Sequence, residues 1–255
     1  MLEKKASRRS VVLSGLAALA GSREAHAFGD VGAFSPGVIV ASGKRLTGPR
    51  STGPAAWSME LINRTSAPAR LAPREVALDR PELCSEPFAI WAGDGDVGSL
   101  SLAERRNLSK FIRLGGVLVV DDSEPGQGAF GRSVRRELLR VLPESPPVRL
   151  DPSHVIYKTF YIVDRPVGRV LGPPSIDAIV RGKSAQVLLL SHDLLGALAR
   201  SDEGSYSLPT EPASYDQRQH AMRFAVNIAM YVLCFDYKDD QVHAPFLMRR
   251  RAQAR

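Results

Sequence analysis

The stretch from Pro87 to Asp122 restricts the fold more than any other part of this 255-residue chain. Pro87-Phe88-Ala89-Ile90-Trp91 is a short apolar run, and Ser101-Leu102-Ala103-Glu104 is a capping box that opens a helix. Leu108, Phe111 and Ile112 recur at helical spacing until Gly115-Gly116 stops them. Val117-Leu118-Val119-Val120 then runs apolar without alternation and ends in Asp121-Asp122. A strand with no polar side is covered on both faces, and strand, helix, strand at this spacing forms a parallel crossover.

The remaining chain repeats the theme. Val38-Ile39-Val40 predicts a first strand, and Gly43–Pro54, with Lys44, Arg45 and Arg50 among three Gly and two Pro, predicts a mobile loop. A helix is expected over Ala55–Asn63 with Trp57, Leu61 and Ile62 inward, and a short strand over Glu75–Leu78. Ser133–Leu142 reads as a helix stopped by Pro143, and Pro-rich Glu144–Pro152 as a connector. Ile176–Val180 and Ala185–Leu190 read as strands joined by a tight turn, with a short helix from Asp193 to Arg200 and a polar loop over Ser201–Ala213. The last helix runs from about Tyr215 to Leu233 on the stripe Ala221, Phe224, Ala225, Ile228, Ala229 and Val232, before a frayed tail. The expected fold is therefore α/β, an open and mostly parallel sheet of flavodoxin or Rossmann type with helices on both faces. Ligands of such sheets gather beyond the carboxyl ends of the strands. Here those ends would present Gly93-Asp94-Gly95-Asp96, Asp121-Asp122-Ser123-Glu124 and Ser191-His192-Asp193.

Residues 1–27 read as an export signal. Arg8-Arg9 stands one residue before the apolar stretch Val11–Ala20, in the manner of a twin-arginine signal, and Ala25-His26-Ala27 offers a cleavage pattern. The expected address is the periplasm or cell envelope, with membrane association if the signal stays uncleaved. Twin-arginine export carries folded proteins, so a cofactor is compatible with it and its identity stays open. The net charge of +7 lies in the ends: five basic against two acidic residues in 1–27, and four arginines in the last seven. Residues 28–248 thus carry no net charge, and with 7% aromatics there is no basic or stacking face for nucleic acid. The organisation is a signal (1–27), one α/β domain (28–240) and a basic tail (241–255). Cys84 and Cys234 have apolar neighbours and are expected as two buried thiols, with a disulfide permitted after export.

Asp79–Glu82, Pro87–Trp91, Leu114–Asp122, His154–Tyr161, Ser191–Leu194 and Ala225–Ile228 together resemble the bacterial domain-of-unknown-function 4159 family, over roughly residues 36–235. The resemblance implies a fold similar to the class I glutamine amidotransferases, often in exported or membrane-linked proteins, and no established activity. Gly93-Asp94 stands where the family has a strand-end glycine-histidine, which weighs against a shared histidine chemistry there.

An amidotransferase needs a Cys on a sharp strand-to-helix turn. Cys84 precedes its strand and Cys234 follows a helix, so the nucleophile is missing. The ligand-binding candidates are Asp94, Asp121, Asp122, His154, Tyr157, His192, Asp193 and Arg135. Asp121, Asp122 and His154 would be the ligands of any metal. The competing reading has Asp121 and Asp193 capping a turn and a helix, and His154 fixing its segment by a buried hydrogen bond. Arg132, Arg135 and Arg136 could meet an anion at a helix start or pair with Glu124 and Glu137. The function expected is an exported, non-catalytic domain that binds a small ligand or an envelope protein. The alternative is a metal-dependent envelope hydrolase using the acidic strand ends.

Overall fold

The computed structural model describes residues 32–253, with side chains up to residue 234. The expected signal at 1–27 and the side chains of the basic tail lie outside the described residues. Seven strands form one sheet: β1 (Gly37–Val40), β2 (Arg74–Ala77), β3 (Phe88–Gly93), β4 (Val117–Asp122), β5 (Val148–Arg149), β6 (Asp177–Arg181) and β7 (Ser184–Leu190), in the order β2-β1-β3-β4-β7-β6-β5. The pairs from β2 to β7 are parallel, whereas β6 runs antiparallel to β7 and β5 antiparallel to β6.

The period of two along each strand divides the core between the two faces. Val117 and Val119 share one face with Phe88 and Ile90, packed under α1 (Gly53–Thr65), α4 (Leu194–Leu198) and α5 (Tyr215–Gln253). Leu118 and Val120 share the other with Ala89 and Trp91, under α2 (Leu102–Arg113) and α3 (Ala129–Val141). Trp57 of α1 is fully buried and its Nε1 donates to the Ala225 carbonyl of α5 at 2.9 Å, so the polar tip of a large apolar side chain is satisfied inside the core. The expected crossover is present: Ser101 caps α2, with Glu104 reciprocating.

Several boundaries differ from expectation for identifiable reasons. Gly43–Pro54 is not a free loop. It contains a 3-10 turn over Gly48–Thr52, and Thr52 Oγ1 both donates to the Arg200 carbonyl and accepts the Arg200 amide, each at 2.9 Å. Helix α3 begins at Ala129 rather than Ser133, because its capping carboxylate comes from another element (below) and leaves no local signal. The α5 backbone stays helical past Leu233, where residues 234–244 contain neither Gly nor Pro, and continues beyond Pro245 to Gln253. The cysteines are not buried thiols: Cys84 is half-buried, Cys234 is exposed, and both are free. Neighbours on a helix lie about 100° apart, so Leu233 can face inward while Cys234 does not. Among the described residues no helix is long and apolar enough to cross a membrane.

Candidate functional site at the carboxyl edge of the sheet

Asp121 and Asp122 are consecutive on β4 and therefore face opposite layers. Asp121, fully buried, accepts the Leu194 and Leu195 amides of α4 at 2.9 and 2.8 Å. Asp122 accepts the Glu124 and Gly131 amides at 3.1 Å each, capping α3 on the other face. A Cβ on Gly131 would lie 2.8 Å from Asp122 Oδ2, so the close approach requires glycine. Burial, reinforced by the charge of Asp193, pushes the Asp121 carboxyl up to about 8. Burial also raises Asp122, against the pull of its two amide donors.

Asp193 caps α4 through the Gly196 amide at 3.1 Å, in the left-handed conformation (φ 52°, ψ 59°), at the sharp turn between β7 and α4. It also does something no local pattern announces. Arg50 grips it with two parallel hydrogen bonds of 2.8 Å, Nε to Oδ1 and Nη2 to Oδ2, while Arg169 donates to Oδ2 from the other side. Arg50 further donates to the Ser123 carbonyl at 3.0 Å, and Arg169 pairs with Glu211. The hydrogen bonds to Asp193 raise the Arg50 pKa further. The β4 and β7 ends are thus occupied by a closed network of carboxylates, arginines and backbone amides.

The other predicted residues each make their own contacts within the fold. His154 Nδ1 accepts the Ile156 amide at 3.2 Å and caps a 3-10 turn, with its ring beside Tyr231; burial lowers its pKa. Tyr157 is a core residue stacked on Phe224, its hydroxyl accepting the Ile176 amide at 3.4 Å. His192 Nε2 bonds the Pro173 carbonyl at 2.9 Å, and burial drives its pKa down to about 4, so the ring is neutral at physiological pH. Arg135 pairs with Asp177 at 2.8 Å, and Arg136 with Asp96 and Glu137, so these arginines serve local carboxylates. Among the described residues no three His, Cys, Asp or Glu side chains are gathered as a metal site, and Asp121, Asp122 and His154 do not form a ligand set.

Of the predicted candidates, Arg135 and His192 line a small cavity of about 40 Å³ beside Asp177 and Ser191, and Asp94 lines a larger open crevice. This crevice of about 170 Å³ is lined by Ala41, Lys44 and Arg45 after β1, by Trp91 through Val97 at and beyond the end of β3, and by Phe130 of α3. It sits where the chain order reverses. The connection from β1 leaves toward β2 over the α1 face, while that from β3 leaves toward β4 over the α2 face. Diverging connections open a crevice at such a switch point. The sequence presents Lys44 and Arg45 only as loop charges, because their position against Asp94 depends on strand order. A second groove, of about 400 Å³, runs between α1 and residues 200–204 beside Met59 and Leu71, away from the strand ends.

No curated protein matches the chain. The family model described as a domain of unknown function (DUF4159) matches residues 42–233, a span that begins in the turn carrying Lys44 and ends inside α5. This match covers well over half of the chain and includes every candidate residue discussed above, and the protein belongs to the DUF4159 family.

Proposed function

We propose that this protein is an exported cell-envelope domain that binds a small polar ligand in the crevice between the β1 and β3 ends and catalyses no reaction. One observation carries the reading. The buried acidic residues at the β4 and β7 ends are fully committed inside the fold, whereas Asp94 at the open switch point has no hydrogen bond or ion pair among the described residues. The sharp turn from β7 into α4, the kind of strand-to-helix turn on which α/β enzymes set a nucleophile, holds Asp193, locked between two arginines. The hydrolase alternative loses its donor set, since Asp121 and Asp122 cap helices on opposite faces. The Arg8-Arg9 signal supports export.

Amide shift mapping of the full chain against a mixture of small polar metabolites tests the binding. Shifts confined to residues 41–45, 91–97 and 130 are expected; shifts centred on 121–124 and 191–196 would contradict it. Fractionation of expressing cells, with N-terminal sequencing of the envelope pool, tests export: a new terminus after Ala27 is expected, and exclusively cytoplasmic protein would contradict it.

A further inference from the structure

We propose that the crevice takes a zwitterion of amino-acid size with an apolar side chain, an inference that rests on the binding role given to this crevice above. Its cationic side is built rather than incidental. Ala41 and Lys44 exchange backbone hydrogen bonds of 3.1 and 2.8 Å around a two-residue turn, with Ser42 at φ 49° and Gly43 at φ 72°. A serine in the left-handed region persists only where its surroundings over-determine it. Here the Ser42 amide donates to Glu104 Oε1 at 2.5 Å, while Oε2 of the same carboxylate accepts the Ser101 amide at 2.7 Å in the capping box. Glu104 thereby fixes the turn to the start of α2 and sets the position of Lys44. The Lys44 ammonium donates to the Asp96 carbonyl across the crevice, which leaves two of its three donors for a ligand. Arg45 stands beside it, 3.3 Å from Glu75 on the surface.

The anionic side is Asp94. Its neighbour Asp96 is already committed, accepting the Gly98 amide at 2.7 Å and pairing with Arg136. The apolar wall is the edge-to-face pair Trp91 and Phe130, with centroids 6.1 Å apart and both rings almost wholly buried. Gly93 allows that wall, because a Cβ there would lie 2.9 Å from the Phe130 ring. The volume of about 170 Å³ equals roughly the liquid share of six waters, which suits a single amino acid. A carboxylate toward Lys44 and an ammonium toward Asp94 would pair both charges, with the side chain against the rings. A simple anion would leave Asp94 facing like charge, and an apolar ligand would leave Asp94 and two of the Lys44 donors without partners.

Calorimetric titration of the full chain compares L-leucine with 4-methylpentanoate, which lacks the ammonium, 3-methylbutylamine, which lacks the carboxylate, and inorganic phosphate. L-Leucine is expected to bind, and each of the others to bind about tenfold more weakly or worse, since each leaves a charge without its hydrogen-bond partner. Asp94→Asn should remove the preference for leucine over 4-methylpentanoate, and Lys44→Met should weaken leucine about tenfold while the unfolding midpoint stays that of wild type. Equal or tighter binding of 4-methylpentanoate, the amine or phosphate would overturn the zwitterion and leave the crevice a binding site. Failure of leucine to bind would also overturn it. Silence of the crevice amides toward the whole metabolite mixture would overturn the binding role itself.

Discussion

The two halves of the carboxyl edge are built from the same kinds of residue and use them in opposite ways. At the β4 and β7 ends, Asp121, Asp193, Arg50 and Arg169 are turned inward and satisfied by one another and by α4. At the β1 and β3 ends, Lys44 and Asp94 stand on either side of an open crevice. The difference follows from connectivity. β4 and β7 are adjacent, and α4 is held over their ends by Asp121 of β4 and by its own N-cap Asp193. The connections of β1 and β3 leave in opposite directions, so among the described residues no helix covers the gap between them. Charged residues at strand ends are therefore weak indicators of a site until the strand order is known.

The sharpest way to break this comparison is to remove the keystone of the closed half. Asp193→Ala leaves two arginines without their shared carboxylate and should cost about 3–5 kcal/mol in urea unfolding. A cost below ~1 kcal/mol would mean the network is not structural. Asp121→Ala should follow, at roughly 1–3 kcal/mol for each of the two amides it orphans.

The raised Asp121 carboxyl adds a pH signature. Its folded pKa lies above its unfolded value, so the stability it contributes is fully present below the unfolded pKa of about 4 and is lost as pH rises through about 8. His192 has the opposite sign, because its folded pKa is depressed to about 4, so its contribution is lost only as pH falls below about 6.5. Between pH 6.5 and 8 the histidine is quiet. Wild type should lose stability as pH rises across that window, and Asp121→Asn should flatten the dependence. Asp122→Ala, which removes the cap of α3 and the acceptor of the Glu124 amide, should cost about 1–2 kcal/mol. At the small end, Lys44→Met and Asp94→Asn should leave stability within about 0.5 kcal/mol of wild type, since neither side chain supports the packed core.

Much of this architecture was legible in the residues themselves. Ser101 and Glu104 announced α2, the apolar run into Asp121-Asp122 announced a buried central strand, and alternation between strands and helices announced the sheet. The period of two along a strand places Asp121 and Asp122 on opposite layers, which bears directly on their fitness as joint metal ligands. Their partners were not legible, because Leu194 and Leu195 lie 73 and 74 residues away and Gly131 is brought near only by α3 packing. Arg50 reaches Asp193 across 143 residues and looked like one more charge in a Gly- and Pro-rich loop. Spacing identifies Glu104 as a cap, yet its second task, holding Ser42, depends on where β1 ends in space. Local hydrogen-bond chemistry can be read from spacing, whereas long-range ion pairs and crevices are products of topology.

The central claim, that the open half of the edge is the functional one, is tested most directly by amide hydrogen exchange of the full chain with and without L-leucine. The account predicts added protection at residues 41–45 and 93–97, with residues 121–124 and 191–196 unchanged because they are already closed. Protection appearing at 121–124 and 191–196 instead would contradict it, and would place the working site in the ion-pair network of Asp193.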